Sequence, residues 1–161
     1  MSLLSFAWFR RAALLAAAGL LLTAAPARAA DDRPEPKKPK IEVVFCLDTT
    51  GSMTGLIEGA KAKIWTICNQ IAGGKPTPEL KVGLVAYRDR GKEEYVTRVF
   101  DLTDDLDAVH GQLKGFRAAG GGDFPESVNE ALHVAVNKIT WGQDKSALRI
   151  IFLVGDAPPH M

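Results

Sequence analysis

The body of this chain alternates short, almost continuously apolar segments with segments whose apolar residues recur at helical spacing. The apolar segments cover residues 41–47, 81–87 and 147–154. They are too short for helices and rich in β-branched residues, which is typical of strands buried on both faces of a parallel sheet. A further run, residues 95–100, follows a charged turn at residues 88–94. Such a short connection predicts a hairpin with an antiparallel edge strand.

Helical periodicity fills the intervals between these strands. Apolar residues recur three and four positions apart within residues 56–71, 106–113 and 128–139. The hydroxyl of Thr103 and the two carboxylates that follow it predict the start of the second helix, because such groups stabilise the positive end of a helix. The resulting order predicts an α/β fold: a doubly wound, mostly parallel sheet with helices on both faces and an antiparallel edge strand, as in Rossmann-like proteins.

The first 29 residues carry the three parts of a secretory signal peptide. Arg10 and Arg11 precede an apolar run at residues 12–25, and small residues occupy the cleavage-determining positions Ala27 and Ala29. The run is shorter than the roughly 20 apolar residues that a membrane-crossing helix needs. We therefore expect cleavage after residue 29, export to the periplasm or the medium, and no permanent membrane span. An uncleaved anchor is the alternative.

Removing that segment changes the charge of the chain. The full chain has 20 basic and 19 acidic residues, and the segment contains three of the basic ones, so 17 basic residues remain and the net charge falls from +1 to −2. Without a basic excess, the mature protein has no bulk attraction to nucleic acid. Residues 30–40 are rich in proline and lysine and predict an extended linker. Residues 41–161 are then expected to form one domain.

Polar residues follow the carboxyl ends of the predicted parallel strands, where the loops of such sheets gather along one rim. Asp48, Thr50 and Ser52 follow the first strand, Asp123 lies in a glycine-rich loop before the last helix, and Asp156 follows the last strand. An all-oxygen set suits a hard cation, Mg²⁺, Mn²⁺ or Ca²⁺, better than zinc. Because two hydroxyls replace carboxylates, the cation would stay electrophilic and accept an acidic group from another molecule.

These loops resemble the metal-ion-dependent adhesion site (MIDAS) of von Willebrand factor type A (vWA) domains. Residues 48–52, Asp-Thr-Thr-Gly-Ser, match the family pattern Asp-x-Ser-x-Ser, and Asp156 matches the later aspartate. Asp123 lies where many members have a threonine. The resemblance implies a cation-dependent protein-binding module without enzymatic activity, whose partner offers an acidic side chain to the metal. Domains of this family usually continue beyond that aspartate, so we expect the domain to be incomplete and strand 147–154 to lie at a sheet edge.

Other interpretations of the same residues stay open at this stage. Asp48 and Asp156 can act as helix caps, and Asp123 with Glu126 has the spacing of a capping box. The loop after the first strand also resembles the nucleophile loop of haloacid-dehalogenase phosphatases, in which Asp48 would attack phosphorus and Asp156 would hold the metal. A structural domain of the same fold without an active metal site is the third alternative.

The remaining chemically active side chains give weaker signals. Cys46 and Cys68 lie in apolar stretches, which favours two buried thiols over a disulfide. His110, His133 and His160 are expected at the surface or packed against apolar neighbours rather than in catalysis. The charged turn at residues 88–90 is interpreted either as a solvated hairpin tip or as an edge that contacts a partner.

Overall fold

The computed structural model describes residues 37–90, 94–121 and 126–160, and in them four strands form one sheet in the order β3-β2-β1-β4. The strands are β1 (Lys40–Asp48), β2 (Glu79–Tyr87), β3 (Thr97–Thr103) and β4 (Leu148–Val154). β1 pairs in parallel with both β2 and β4, whereas β2 and β3 run antiparallel. The predicted mixed sheet is therefore confirmed, with its antiparallel strand at one edge.

The connections between the strands are helical, as the periodicity predicts. A 3₁₀ helix (Gly51–Gly55) leads into α1 (Ile57–Ala72), and both lie between β1 and β2. The other two helices, α2 (Leu106–Gly115) and α3 (Val128–Asn137), follow one another between β3 and β4.

Alternate residues of the two central strands face opposite layers of helices, because successive side chains of a strand point to opposite faces. Val43, Phe45 and Leu47 are fully buried in a cluster with apolar residues of α1 and α2. Val44 and Cys46 are fully buried in a second cluster with α3. Each fully buried aliphatic side chain contributes about 1.5–3 kcal/mol by leaving water, so both faces need a helical cover. The doubly wound arrangement is confirmed.

β4 lies at the sheet edge opposite β3 and pairs with β1 alone within the described residues. Although its sequence is the most apolar of the four strands, Leu148 is 55% exposed and Leu153 is 48% exposed. The expected edge position of this strand is confirmed. The structure explains the exposure: none of the described elements covers the outer side of β4.

One local expectation was wrong, and two of the alternatives left open are excluded. α2 is capped by Asp105, whose Oδ1 accepts a hydrogen bond from the Ala108 backbone N–H at 2.9 Å, while β3 extends as far as Thr103. The capping box ending at Glu126 is not formed, because α3 begins only at Val128 and Glu126 forms a strand-like bridge with Pro159 instead.

The solvated hairpin tip is the other excluded alternative. Arg88 is 7% exposed and Asp89 is 2% exposed, which excludes a solvated tip for these two residues. The Arg88 guanidinium donates to the backbone carbonyls of Thr49 (3.2 Å) and Arg117 (3.2 Å). It also stacks on Tyr95, with 4.5 Å between Cζ and the ring centroid.

Both cysteines are buried free thiols, as predicted. Burial raises the pKa of Cys46 to about 12 and that of Cys68 to about 11, because desolvation disfavours the thiolate.

Several sequence-based expectations concern residues outside the described ranges, namely the signal peptide (residues 1–29), most of the linker and Asp123. The described part of the linker ends one residue earlier than expected, because β1 begins at Lys40. None of the helices in the described ranges combines the length and the apolar character needed to cross a bilayer.

Candidate metal centre

Asp48 ends β1 at the carboxyl rim of the sheet, beside Tyr87 in the register of β2. Its side chain is completely buried. Asp48 Oδ1 accepts hydrogen bonds from the backbone N–H of Thr50 at 2.8 Å and from the Thr50 hydroxyl at 2.7 Å. The two-residue spacing thus folds the loop back on its own aspartate, as aspartates commonly do in turns.

A line of oxygen atoms continues from Thr50 to the last strand. Thr50 Oγ1 lies 3.0 Å from Ser52 Oγ, and the Ser52 hydroxyl donates to Asp156 Oδ1 at 2.9 Å. Asp48 and Thr50 are buried at the inner end of this line, whereas Ser52 and Asp156 are exposed at its outer end. Because β1 and β4 are parallel neighbours, the loops that follow them meet here. The structure brings together four of the five predicted site residues, and the fifth, Asp123, lies outside the described residues.

Close backbone contacts fix the loops around this line. The Gly51 N–H donates to the Gly120 carbonyl at 2.9 Å, and a Cβ on Gly51 would lie 2.6 Å from that oxygen. A Cβ on Gly155 would overlap the Tyr87 hydroxyl and lie 3.2 Å from Asp48 Oδ2. Only glycine permits such approaches without displacing a neighbour, so both glycines set the shape of the rim.

In the described part of the chain, three buried oxygen atoms near the end of β1 have no hydrogen-bond partner: Asp48 Oδ2, the Tyr87 hydroxyl and Glu126 Oε2. Burial raises the pKa of Asp48, and the negative charge of Asp156 adds to the effect. Burial also raises the pKa of Tyr87. Orphaned buried polar atoms are rare in proteins and point to strain, to a functional role or to an absent water or ion.

Glu126 is a member of this group that the sequence analysis did not place in the site. It is 2% exposed and lies two residues before the start of α3. Burial raises the pKa of Glu126 to about 7, with further increases from the negative charges of Asp48, Asp89 and Asp156. A carboxylate directly after a glycine-rich loop was the available signal, but its local spacing favoured a helix cap.

A second acidic residue of the rim is already paired. Asp89 Oδ1 lies 2.6 Å from His160 Nε2. The backbone N–H of His160 donates to the Glu126 carbonyl at 3.2 Å, so His160 joins the turn after β2 to the segment before α3. The other two histidines lie elsewhere: His110 stacks on Trp65 and His133 contacts Asn137.

The donor set fits a hard divalent cation by its chemistry. Two hydroxyls lie between the two carboxylates along the line from Asp48 to Asp156, and the fully buried Asp48 Oδ2 has no hydrogen-bond partner among the described residues. Oxygen ligands of this kind are those preferred by Mg²⁺, Mn²⁺ and Ca²⁺. Within residues 37–90, 94–121 and 126–160, no three Asp, Glu, His or Cys side chains stand together as a metal-holding group on their own. The hydroxyls of Thr50 and Ser52 lie between the two carboxylates and would supply the other oxygens of such a site.

Comparisons with known proteins agree with this architecture. The family model described as von Willebrand factor A domain matches residues 42–160. The chain is 34% identical over 121 residues to von Willebrand factor A domain-containing protein 7 of human and of mouse. The match covers 75% of this chain but 12% of those relatives, so the chain corresponds to a small part of their length.

Solved structures with a similar fold include two pilus adhesins. SpaC from Lactobacillus rhamnosus GG, in an open conformation, superposes with a TM-score of 0.59 at 16% identity, covering 77% of this chain and 15% of the adhesin. RrgA from Streptococcus pneumoniae gives 0.56 at 16% identity, covering 78% of this chain and 21% of the adhesin. At this identity the likeness concerns the fold alone.

Proposed function

Because the chain belongs to the von Willebrand factor A domain family, we propose that it is a protein-binding module that contacts its partner through a divalent cation. The cation is Mg²⁺, with Mn²⁺ and Ca²⁺ as chemically similar alternatives. Asp48, Thr50, Ser52 and Asp156 would hold it, with Asp123 as a further ligand from the glycine-rich loop. The observation that carries this proposal is the line of hydrogen-bonded oxygens from the buried Asp48 to the exposed Asp156.

The two ends of this line have different roles. Asp48 and Thr50 are buried and held by short hydrogen bonds, so they form the fixed inner wall of the site. Ser52 and Asp156 are exposed and frame the side from which a partner can approach. When bound, the cation supplies a Lewis-acidic centre, and we propose that an acidic side chain of the partner completes its coordination there. The rest of the partner surface would contact the surrounding loops.

A binding role accounts for Asp48 better than a phosphatase role. A nucleophilic carboxylate must reach phosphorus, yet Asp48 is completely buried and its Oδ1 is occupied by two hydrogen bonds from Thr50. The family assignment also favours binding over phosphoryl transfer. The two structural neighbours are pilus adhesins, which is compatible with a binding function outside the cell. Together with the signal-like residues 1–29, they support export to the periplasm or the medium.

The first test is cation binding by the purified protein. Calorimetric titration with Mn²⁺ should show one binding event in the wild type, none in Asp48→Asn and an unchanged event in Asp104→Asn. Asp104 is a matched control because it is exposed and directly follows β3, at the opposite end of the sheet from Asp48. Absence of cation binding by the wild type would contradict the proposal and favour a purely structural domain.

The second test concerns the partner's acidic group, with acetate as the simplest carboxylate probe. Protein-bound Mn²⁺ that retains water accelerates the relaxation of solvent protons, and a carboxylate that replaces this water should reduce the effect. We expect acetate to lower the relaxation enhancement of the Mn²⁺-loaded wild type in a saturable manner. A bound cation whose enhancement does not respond to acetate would argue against recognition of an acidic partner.

A further inference from the structure

Asp156 is held less firmly than Asp48, because it is exposed and lies in the loop that follows β4. In the described part of the chain its carboxylate accepts one hydrogen bond, from the Ser52 hydroxyl at 2.9 Å. Asp48, by contrast, is buried and accepts two hydrogen bonds from Thr50. An exposed side chain keeps one position only if its backbone is fixed, so the anchoring of the chain after Asp156 decides how well this carboxylate is placed.

The chain between Asp156 and His160 is stiff. Pro158 and Pro159 each have a fixed φ, and a residue that precedes a proline is restricted to extended backbone. Few bonds between the two ends of this segment can therefore rotate freely. Residues 156–160 form a short rigid arm, in which a constraint at His160 also restrains Asp156.

The backbone of the arm is bonded to the start of α3. The Glu126 N–H donates to the Pro158 carbonyl at 2.9 Å, and the Glu126 carbonyl accepts from the His160 N–H at 3.2 Å. The Asn129 side-chain amide donates to the His160 carbonyl at 3.0 Å. These bonds use only backbone atoms of the arm, so they do not require an imidazole at position 160.

The His160 imidazole makes a separate contact on the other side of the rim. Its Nε2 lies 2.6 Å from Asp89 Oδ1, and Nε2–H is the donor because a carboxylate oxygen accepts. The Asp89 side chain is 3% exposed and that of His160 is 34% exposed. Asp89 comes two residues after the end of β2, and β1 lies between β2 and β4 in the sheet. The pair thus joins the loops on both sides of the strand that ends at Asp48.

From this arrangement we infer that His160 and Asp89 are positioning residues of the cation site. Their hydrogen bond fixes the rigid arm and thereby holds Asp156 beside Ser52. The inference rests on the proposed function and deepens it with two residues that are not ligands themselves. Loss of an outer hydrogen bond that orients a metal ligand typically costs 10–100-fold in metal affinity. Because this pair acts on Asp156 through the backbone, we expect the lower end of that range.

The experiment is a calorimetric titration of the purified protein with Mn²⁺ alone. We expect His160→Ala to bind Mn²⁺ about tenfold more weakly than the wild type. His160→Gln should recover most of that loss, because the glutamine amide can donate to Asp89. His133→Ala is the matched control, since His133 is an exposed histidine that contacts Asn137. Its affinity should stay within about twofold of the wild type.

Two further variants separate positioning from a general loss of stability. Asp105→Ala removes the cap of α2, at the opposite end of the sheet from Asp48, so its folded form should bind Mn²⁺ with wild-type affinity. In a protein that already carries Asp156→Ala, adding His160→Ala should weaken binding less than about twofold, because the ligand that His160 positions is then absent.

Each outcome bears on one of the two proposals. Equal Mn²⁺ affinity in the wild type and in His160→Ala would overturn the positioning role while leaving the proposed function intact. An equal loss from His160→Ala with and without Asp156 would also overturn it, because His160 would then act on the fold and not through this ligand. If the wild type binds no Mn²⁺, the proposed function itself fails.

Discussion

Replacing Glu126 with glutamine should alter how the stability of the metal-free protein depends on pH. The pKa of Glu126 is raised to about 7 in the folded protein from an ordinary value of 4.5. A raised carboxyl pKa means that the folded state favours the protonated form. The stability that this preference contributes is complete below about pH 4.5 and is lost as the pH rises through 7.

The size of the effect follows from the shift. The difference between 7 and 4.5 is 2.5 pKa units, and one unit corresponds to about 1.36 kcal/mol. Most of this change falls between pH 5 and pH 8, so the wild type should lose about 2–3 kcal/mol of unfolding free energy relative to Glu126→Gln over that interval. The pKa of Asp48 is also raised; because Asp48 is present in both proteins, the comparison reports the charge of Glu126 together with its repulsion by Asp48.

The assay is urea unfolding followed by tryptophan fluorescence at several pH values in the presence of a chelator, with Glu130→Gln as control. Near pH 5 the wild type and Glu126→Gln should be similar in stability, and near pH 8 the variant should be the more stable of the two. Parallel pH profiles of wild type and Glu126→Gln without metal would refute the reasoning.

Three further substitutions test the packing that supports the site. Gly155→Ala should destabilise the fold by about 1–3 kcal/mol in urea unfolding, because the new methyl group overlaps the Tyr87 hydroxyl. Equal stability of the variant and the wild type would show that the Tyr87 side chain can move aside without cost. Asp105→Ala removes the cap of α2 and should cost about 1 kcal/mol by the same measurement. Arg88→Met leaves the Thr49 carbonyl without its guanidinium donor and should lower the melting temperature by several degrees; an unchanged melting temperature would mean that water replaces the donor.

The sheet could be predicted because its central strands are encoded locally. Residues 41–47 and 81–87 are apolar on both faces, and such a run has few ways to be buried other than as a central strand between two helical layers. The edge position of β4 was predicted from the family resemblance. Its apolar composition alone would have favoured a central, buried strand, whereas two of its leucines are half exposed.

The proximity of the four loop residues was predictable for a related reason. Asp48 and Asp156 each follow one of two parallel strands, and the carboxyl ends of parallel neighbours meet at the same rim. The order of the strands is therefore enough to predict that these two side chains lie close together. The cation and the partner protein are separate molecules, which the fold of the chain does not identify. Both therefore stay proposals.

The two alternatives that the structure excludes fail for a common physical reason, which is pairing between segments far apart in sequence. Glu126 has the local spacing of a helix cap, but it pairs with Pro158 and Pro159, and this pairing moves the start of α3 to Val128. Arg88 is a charged residue in a turn, yet carbonyls from two distant loops bind its guanidinium. A local sequence pattern cannot predict such distant partners.

The most direct test of the central claim is the melting temperature of the purified protein with and without Mg²⁺, in the wild type and in Asp48→Asn. A cation that binds only the folded state adds about 2.7 kcal/mol of stability at a hundred times its dissociation constant, which raises the melting temperature by several degrees in a domain of this size. We expect that rise in the wild type and none in Asp48→Asn. A wild-type melting temperature that does not respond to Mg²⁺, Mn²⁺ or Ca²⁺ would contradict a metal-dependent function.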